Sequence, residues 1–209
     1  MRVAVFGASG ATGRHLVTQA LERGHHVTAF VRDPAKLATS HQRLSVVTGN
    51  VGDAAAVVRG VETQDAVLST LGTGAPLRHD QTVIDGVGHI VRVMQLTGVR
   101  RLVYLSTTGV RESRAESGLM ARLVAASVIR HEVRDHEEKE AIVRASPLDW
   151  TIVRAPMLTN GRQTSDYRAG EDLTARGPLP MLSRADVAEF MLRQLDDATF
   201  VRKAPRLMR

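Results

Sequence analysis

The feature that most constrains the fold lies within the first thirteen residues. A short apolar run, Val3 to Phe6, leads directly into Gly7-Ala8-Ser9-Gly10-Ala11-Thr12-Gly13. A G-x-x-G-x-x-G spacing says little by itself, but here it follows a strand and opens a helix, the context in which it binds a dinucleotide. Each glycine then has its own reason: Gly7 permits the tight turn, Gly10 lets the backbone approach a pyrophosphate, and Gly13 lets the helix pack on the strand. The helix N-terminus offers N–H groups to phosphate, with Ser9, Ala11 and Thr12 completing the loop around it.

The rest of the chain repeats the same unit. Apolar runs predict strands at 27–31, 44–48, 66–71, 102–105 and 150–153, and helices at about 12–24, 54–59, 81–97, 117–145 and 185–195. Within 81–97, Val83, Ile84, Val87, Ile90, Val91 and Met94 recur at i, i+3 and i+4, the period of a half-buried helix. Strands apolar on both faces, alternating with helices, imply an α/β fold: a doubly wound parallel sheet, or Rossmann fold, with helices on both sides. The 209 residues suit a single NAD(P)-binding domain. Residues 1–155 read as its dinucleotide-binding core. Residues 156–209 read as a small C-terminal region on the substrate side, walling a pocket.

The choice of dinucleotide turns on the end of the second strand, where an acid usually binds the ribose 2′-hydroxyl of NAD. Arg32 stands there, and Arg14 directly follows Gly13. Two guanidiniums suit a 2′-phosphate, so NADP is the expected cofactor, and Asp33 reads as the cap of a short helix at 34–39. Ligands of open α/β sheets bind beyond the carboxyl ends of the strands. Those ends carry Leu71-Gly72-Thr73, Ser106-Thr107 and Pro156-Met157, with Asn50 and Val51 placed to edge the adenine. Residues 72–76 read either as a lid or as an ordinary surface turn.

Composition narrows the partners. With no cysteine, disulfides, thiolate catalysis and cysteine-bound zinc are excluded. The formal charge of +6 rests on scattered arginines, and only 3% of residues are aromatic. That leaves no stacking platform for single strands and argues against nucleic acid as the main partner, in favour of a small anionic ligand. The longest apolar stretch, Leu119 to Ile129, is interrupted by Arg122, so no membrane partner is expected. A cytoplasmic protein, a monomer or small homo-oligomer, follows as the expectation.

These motifs resemble the atypical short-chain dehydrogenase/reductase family, and its flavin-reductase branch in particular. The resemblance spans nearly the whole chain and rests on Val5 to Gly13, Val31-Arg32-Asp33, Asp65-Ala66-Val67, Leu71-Gly72-Thr73 and Leu148 to Arg154. It implies that Arg32 contacts the 2′-phosphate of NADPH, that Gly72-Thr73 borders the cofactor, and that Ser106 and Thr107 lie beside the nicotinamide. Residues 110–130 and 157–180 match nothing that would assign a substrate.

The Tyr-x-x-x-Lys pair of common short-chain dehydrogenases is absent: Tyr104 and Tyr167 are followed four residues later by Thr108 and Glu171. Counting back from Asp149, its positions hold Glu132 and His136. The resemblance and the chemistry of imidazole make His136 a candidate general acid, and Ser106 or Thr107 a candidate for polarising the acceptor. Against that role, Glu132, His136 and Glu140 share one helix face with charged neighbours, the pattern of a solvated, ion-paired surface. No metal site is expected, since His131 and His136 at i, i+5 point about 140° apart. A reductase without a dedicated acid suits acceptors that delocalise the incoming charge: flavins, quinones or tetrapyrroles, with Met120, Met157 and Leu158 as an apolar floor. Two alternatives stay open: an NADPH-binding redox sensor acting through a protein partner, and a natural-product isomerase or epimerase.

Overall fold

In the computed structural model, which describes residues 1–72, 79–108, 130–174 and 180–209, the side chains of β1 (Arg2–Phe6) are dealt alternately into two cores. Val3 and Val5 enter one, Ala4 and Phe6 the other, and all four are fully buried. This is the period of two expected of a strand covered on both faces.

Around β1 lie β2 (His26–Val31), β3 (Leu44–Thr48), β4 (Ala66–Ser69), β5 (Arg101–Thr107) and β6 (Asp149–Ala155), all parallel. The sheet order is β3-β2-β1-β4-β5-β6. On one face α1 (Ala11–Glu22) packs against α5 (Arg184–Arg193). On the other lie α2 (Ala54–Val61), α3 (Gln81–Thr97) and α4 (Arg130–Ala145). The fold is therefore the doubly wound parallel sheet that the alternation implies.

Local chemistry sets several boundaries. The Asp53 and Asp80 carboxylates accept the Ala55 and Val83 N–H groups at the starts of α2 and α3, and Gly98 ends α3 at φ +77°, a conformation that suits glycine. The expected helix at 34–39 shrinks to one 3-10 turn, Pro34–Lys36. β5 runs on to Thr107 and β6 to Ala155, while β4 stops at Ser69.

The C-terminal residues add strands of their own. β10 (Arg206–Met208) lies against β6, and β8 (Arg168–Gly170) pairs antiparallel with β10 at the sheet edge. β7 (Met157–Thr159) and β9 (Met181–Ser183) form a separate parallel pair. None of these three-residue strands was expected. Thr73 and the stretch 74–76, Met120, and residues 117–129 of the expected long helix lie outside the described residues. Among those described, no helix is long and apolar enough to cross a membrane, and no group of three or more His, Asp or Glu could hold a metal ion.

Candidate functional site

The glycine loop joins β1 to α1 with little tolerance for side chains. Gly7 has φ +79°, and a Cβ on Gly13 would lie 2.0 Å from the Gly7 carbonyl oxygen. Gly10 N donates to Gly7 O at 2.9 Å, and Arg14 N to Gly10 O at 3.0 Å. No side chain caps α1 at Gly10, which leaves the orphan N–H groups of its first turn without a side-chain acceptor at that cap. Ser9 is half-buried, Ala11 exposed and Thr12 buried.

Sequence reasoning missed Thr70. Its N–H donates to Phe6 O at 2.9 Å, and its hydroxyl lies 3.2 and 3.3 Å from the carbonyl oxygens of Phe6 and Gly7. It thus ties the loop to the end of the neighbouring strand. The strand expected at 66–71 takes in Thr70, whereas β4 ends at Ser69, and the partner of Thr70 is visible only once β4 is known to lie beside β1.

Arg14 and Arg32 are both exposed, and among the described residues neither has an ion-pair or side-chain hydrogen-bond partner. Asp33 is engaged locally: its carboxylate accepts the Ala35 N–H at 3.0 Å and lies 4.0 Å from Lys36 Nζ. Of the two residues expected to edge the adenine, the exposed Asn50 accepts the Gly52 N–H at 3.0 Å. The Val51 side chain is turned into the core, close against Gly86. Leu71 is half-buried and Gly72 exposed.

At the carboxyl end of β5, Ser106 is buried and Thr107 half-buried. Ser106 Oγ lies 3.5 Å from Nδ1 of His136, the outer limit of a hydrogen bond. His136 is only 8% exposed. Burial, followed by the nearby Lys139 ammonium, lowers its pKa to about 3.

The solvated helix face expected around His136 is therefore wrong. Asp135, Lys139 and Glu140 are buried as well, Glu140 completely; the Glu132 side chain lies outside the described residues. The charges are paired inward rather than with water. Arg154 Nε and Nη2 donate to the two Glu140 oxygens at 3.1 and 2.7 Å, and Arg144 Nε is 3.7 Å from Glu140. Asp135 holds His79 Nδ1 at 2.6 Å and the Asp80 N–H at 3.1 Å. That hydrogen bond to Asp135 raises the His79 pKa.

Beyond β6, Pro156 is buried, Leu158 half-buried, and Met157 is 57% exposed beside its register partner Met181 at 51%. A cavity of about 590 Å³, lined by Gly52, Thr82, Asp85, His89, Arg92 and Ile142 among others, includes none of the expected site residues.

Parallel sheet, glycine loop and open helix N-terminus together define a nucleotide-binding protein of the Rossmann class. The chain belongs to the NAD(P)H-binding family, whose model matches residues 7–198. A short-chain dehydrogenase/reductase from Veillonella parvula DSM 2008, solved in complex with NADP, superposes at a TM-score of 0.83 with 19% identity, covering 100% of this chain and 94% of that one. A 3-beta-hydroxysteroid dehydrogenase from Mycolicibacterium neoaurum is 35% identical over 120 residues, 52% of this chain and 32% of that protein. A (4-alkanoyl-5-oxo-2,5-dihydrofuran-3-yl)methyl phosphate reductase from Streptomyces griseus is 32% identical over 152 residues, 73% of this chain and 46% of that protein. The chain thus spans a third to a half of the length of these two curated relatives.

Proposed function

We propose that the protein is an NADPH-dependent reductase that passes hydride to a flat conjugated acceptor of the flavin, quinone or tetrapyrrole kind. The observation that carries this reading is the Ser106–His136 contact at the carboxyl end of β5, in a chain that has no Tyr-x-x-x-Lys pair. With its pKa near 3, His136 is neutral at physiological pH and has no imidazolium proton to give. Its part is to orient the Ser106 hydroxyl, which with Thr107 can hold the nicotinamide amide or polarise the acceptor.

The residues fit the cofactor. Gly7 to Gly13 and the first turn of α1 would hold the pyrophosphate. Arg32 and Arg14 would take the 2′-phosphate, a role for which the capping contact of Asp33 leaves no competing carboxylate. Asn50, Leu71, Gly72, Thr73, Pro156 and Met157 would border the remainder. Bound NADPH supplies hydride; this chain supplies proximity and orientation, a large contribution by itself. The hydride would carry two electrons and one proton to the acceptor, leaving NADP⁺, and water would provide the second proton that completes the reduction. Met157 and Met181 offer an adaptable apolar surface for a flat ligand. The names of the two curated relatives, a dehydrogenase and a reductase of an oxo-dihydrofuran ring, support hydride chemistry.

The test is loss of reduced-nicotinamide absorbance in protein mixed with NADPH and a panel of flavin, quinone, tetrapyrrole and simple carbonyl acceptors. Oxidation by a conjugated acceptor is expected. Tight NADPH binding without turnover on any acceptor would move the assignment to a sensor or an isomerase.

A further inference from the structure

His136 and Glu140 are four residues apart on α4 and share one helix face. Ser106 and Arg154 are register partners on β5 and β6, so their side chains stand on the same face of the sheet. His136 meets Ser106, and Glu140 meets Arg154. Helix and sheet are thereby joined by two adjacent rungs, one polar and one ionic. We propose that the Glu140–Arg154 rung is a positioning device that holds His136 against Ser106. This rests on the reading of Ser106 and His136 as the chemical pair.

Stability does not account for the ionic rung. Glu140 is 0% exposed and Arg154 3%, and apolar residues of similar volume commonly stabilise such a site as well as a buried ion pair does. A planar guanidinium engaging both carboxylate oxygens supplies geometry instead, since it fixes separation and orientation together. An apolar contact in the same place would tolerate sliding and rotation of α4. The neighbouring rung has little tolerance for either, because the Ser106–His136 contact is already 3.5 Å long.

The test replaces the pair by apolar residues, Glu140→Leu with Arg154→Met, which leaves neither buried partner alone. The double variant is expected to melt at or above the wild-type temperature and to bind NADPH with unchanged Kd. Its single-turnover hydride transfer to a quinone should fall by about 10- to 100-fold, with little change in KM for the quinone. In a His136→Asn background the same two substitutions should cost no further activity. Arg154→Lys, which keeps the charge but not the fork, serves as the milder variant and should lose part of the rate. Unchanged transfer in folded variants, or a fully additive loss in the His136→Asn background, would overturn the proposal.

Ring ¹⁵N spectra of His136 read the same geometry without turnover. Wild type should show Nδ1 as a hydrogen-bond acceptor, and the double variant a shift towards free imidazole; identical spectra would refute positioning. Failure of wild type to oxidise NADPH with every acceptor would defeat the reductase reading alone, and the spectra would still decide this one.

Discussion

The Asp186 carboxylate, in the first turn of α5, receives the backbone N–H of Ser165 at 2.7 Å. The same oxygen takes the Thr164 N–H at 2.7 Å, and the other takes the hydroxyls of Thr164 and Ser183 at 3.1 and 2.7 Å. One buried side chain thus anchors the loop after β7, including Ser165 at φ +56°. Burial alone would push the Asp186 carboxyl up, but these hydrogen bonds outweigh it and hold it below its ordinary value of 3.8. The unfolded chain therefore takes up the proton first. The stabilisation is fully present above about pH 3.8 and is lost as pH falls from there through the folded value. Asp186→Asn should cost about 1–3 kcal/mol near neutrality and flatten this acid dependence, both measurable by urea denaturation at pH 3 to 6.

Under the proposed function, the exposed Arg32 takes the 2′-phosphate and so discriminates between the two nicotinamide cofactors. Arg32→Asp should weaken NADPH binding by about 10- to 100-fold, the loss of a charge-assisted contact, and change NADH binding little. Paired calorimetric titrations read the difference. Equal loss for both cofactors would make Arg32 a structural residue.

Gly13 admits no methyl group, because a Cβ would sit 2.0 Å from the carbonyl oxygen of Gly7. Gly13→Ala should force α1 away from the loop, costing about 1–3 kcal/mol of stability and most of the affinity for cofactor. Gly24→Ala is the useful contrast. Its Cβ would meet nothing within 4 Å, so its cost should come from φ +86° alone, with cofactor binding preserved.

His136 makes the opposite ionisation argument from an ordinary surface histidine. Its folded pKa of about 3 lies below the ordinary histidine value of 6.5, so between these values the unfolded chain binds the extra proton. The contribution of neutral His136 is complete above about pH 6.5 and is lost as pH falls towards 3. Melting temperatures of wild type should decline across that window, and His136→Asn should decline less. The pH profile of kcat should show no step near 6.5 assignable to this residue.

The parts of this protein legible in sequence are those fixed by local period. Val3 to Phe6, Ala66 to Leu68 and Leu102 to Tyr104 are apolar at every position and become strands buried on both faces. The glycine loop was legible because its spacing and its context agree. Two kinds of feature were not. β7 to β10 have three residues each, too few to show a period, and β10 is defined by its backbone pairing between β6 and β8, with Leu207 fully buried in the core. The charged face of α4 was misread because helical spacing shows which residues share a face but not what that face meets. The missing clue was Arg154, a charged residue continuing the apolar run Trp150 to Val153, which calls for an acid partner if that strand is interior.

The place of β10 has a consequence for the order in which the molecule can assemble. Among the described residues, β8 pairs with the main sheet only through β10, and β10 consists of residues 206–208. During synthesis, residues 168–170 leave the ribosome with no strand to join, while the parallel core through β6 is already complete. Only after nearly forty more residues have been added can the last strand slot against β6 and present an edge to β8. The cofactor loop can thus form early in translation, whereas the far edge of the sheet waits on residues 206–208, and a stop codon a few residues before position 206 would remove β10 and leave β8 without its partner strand.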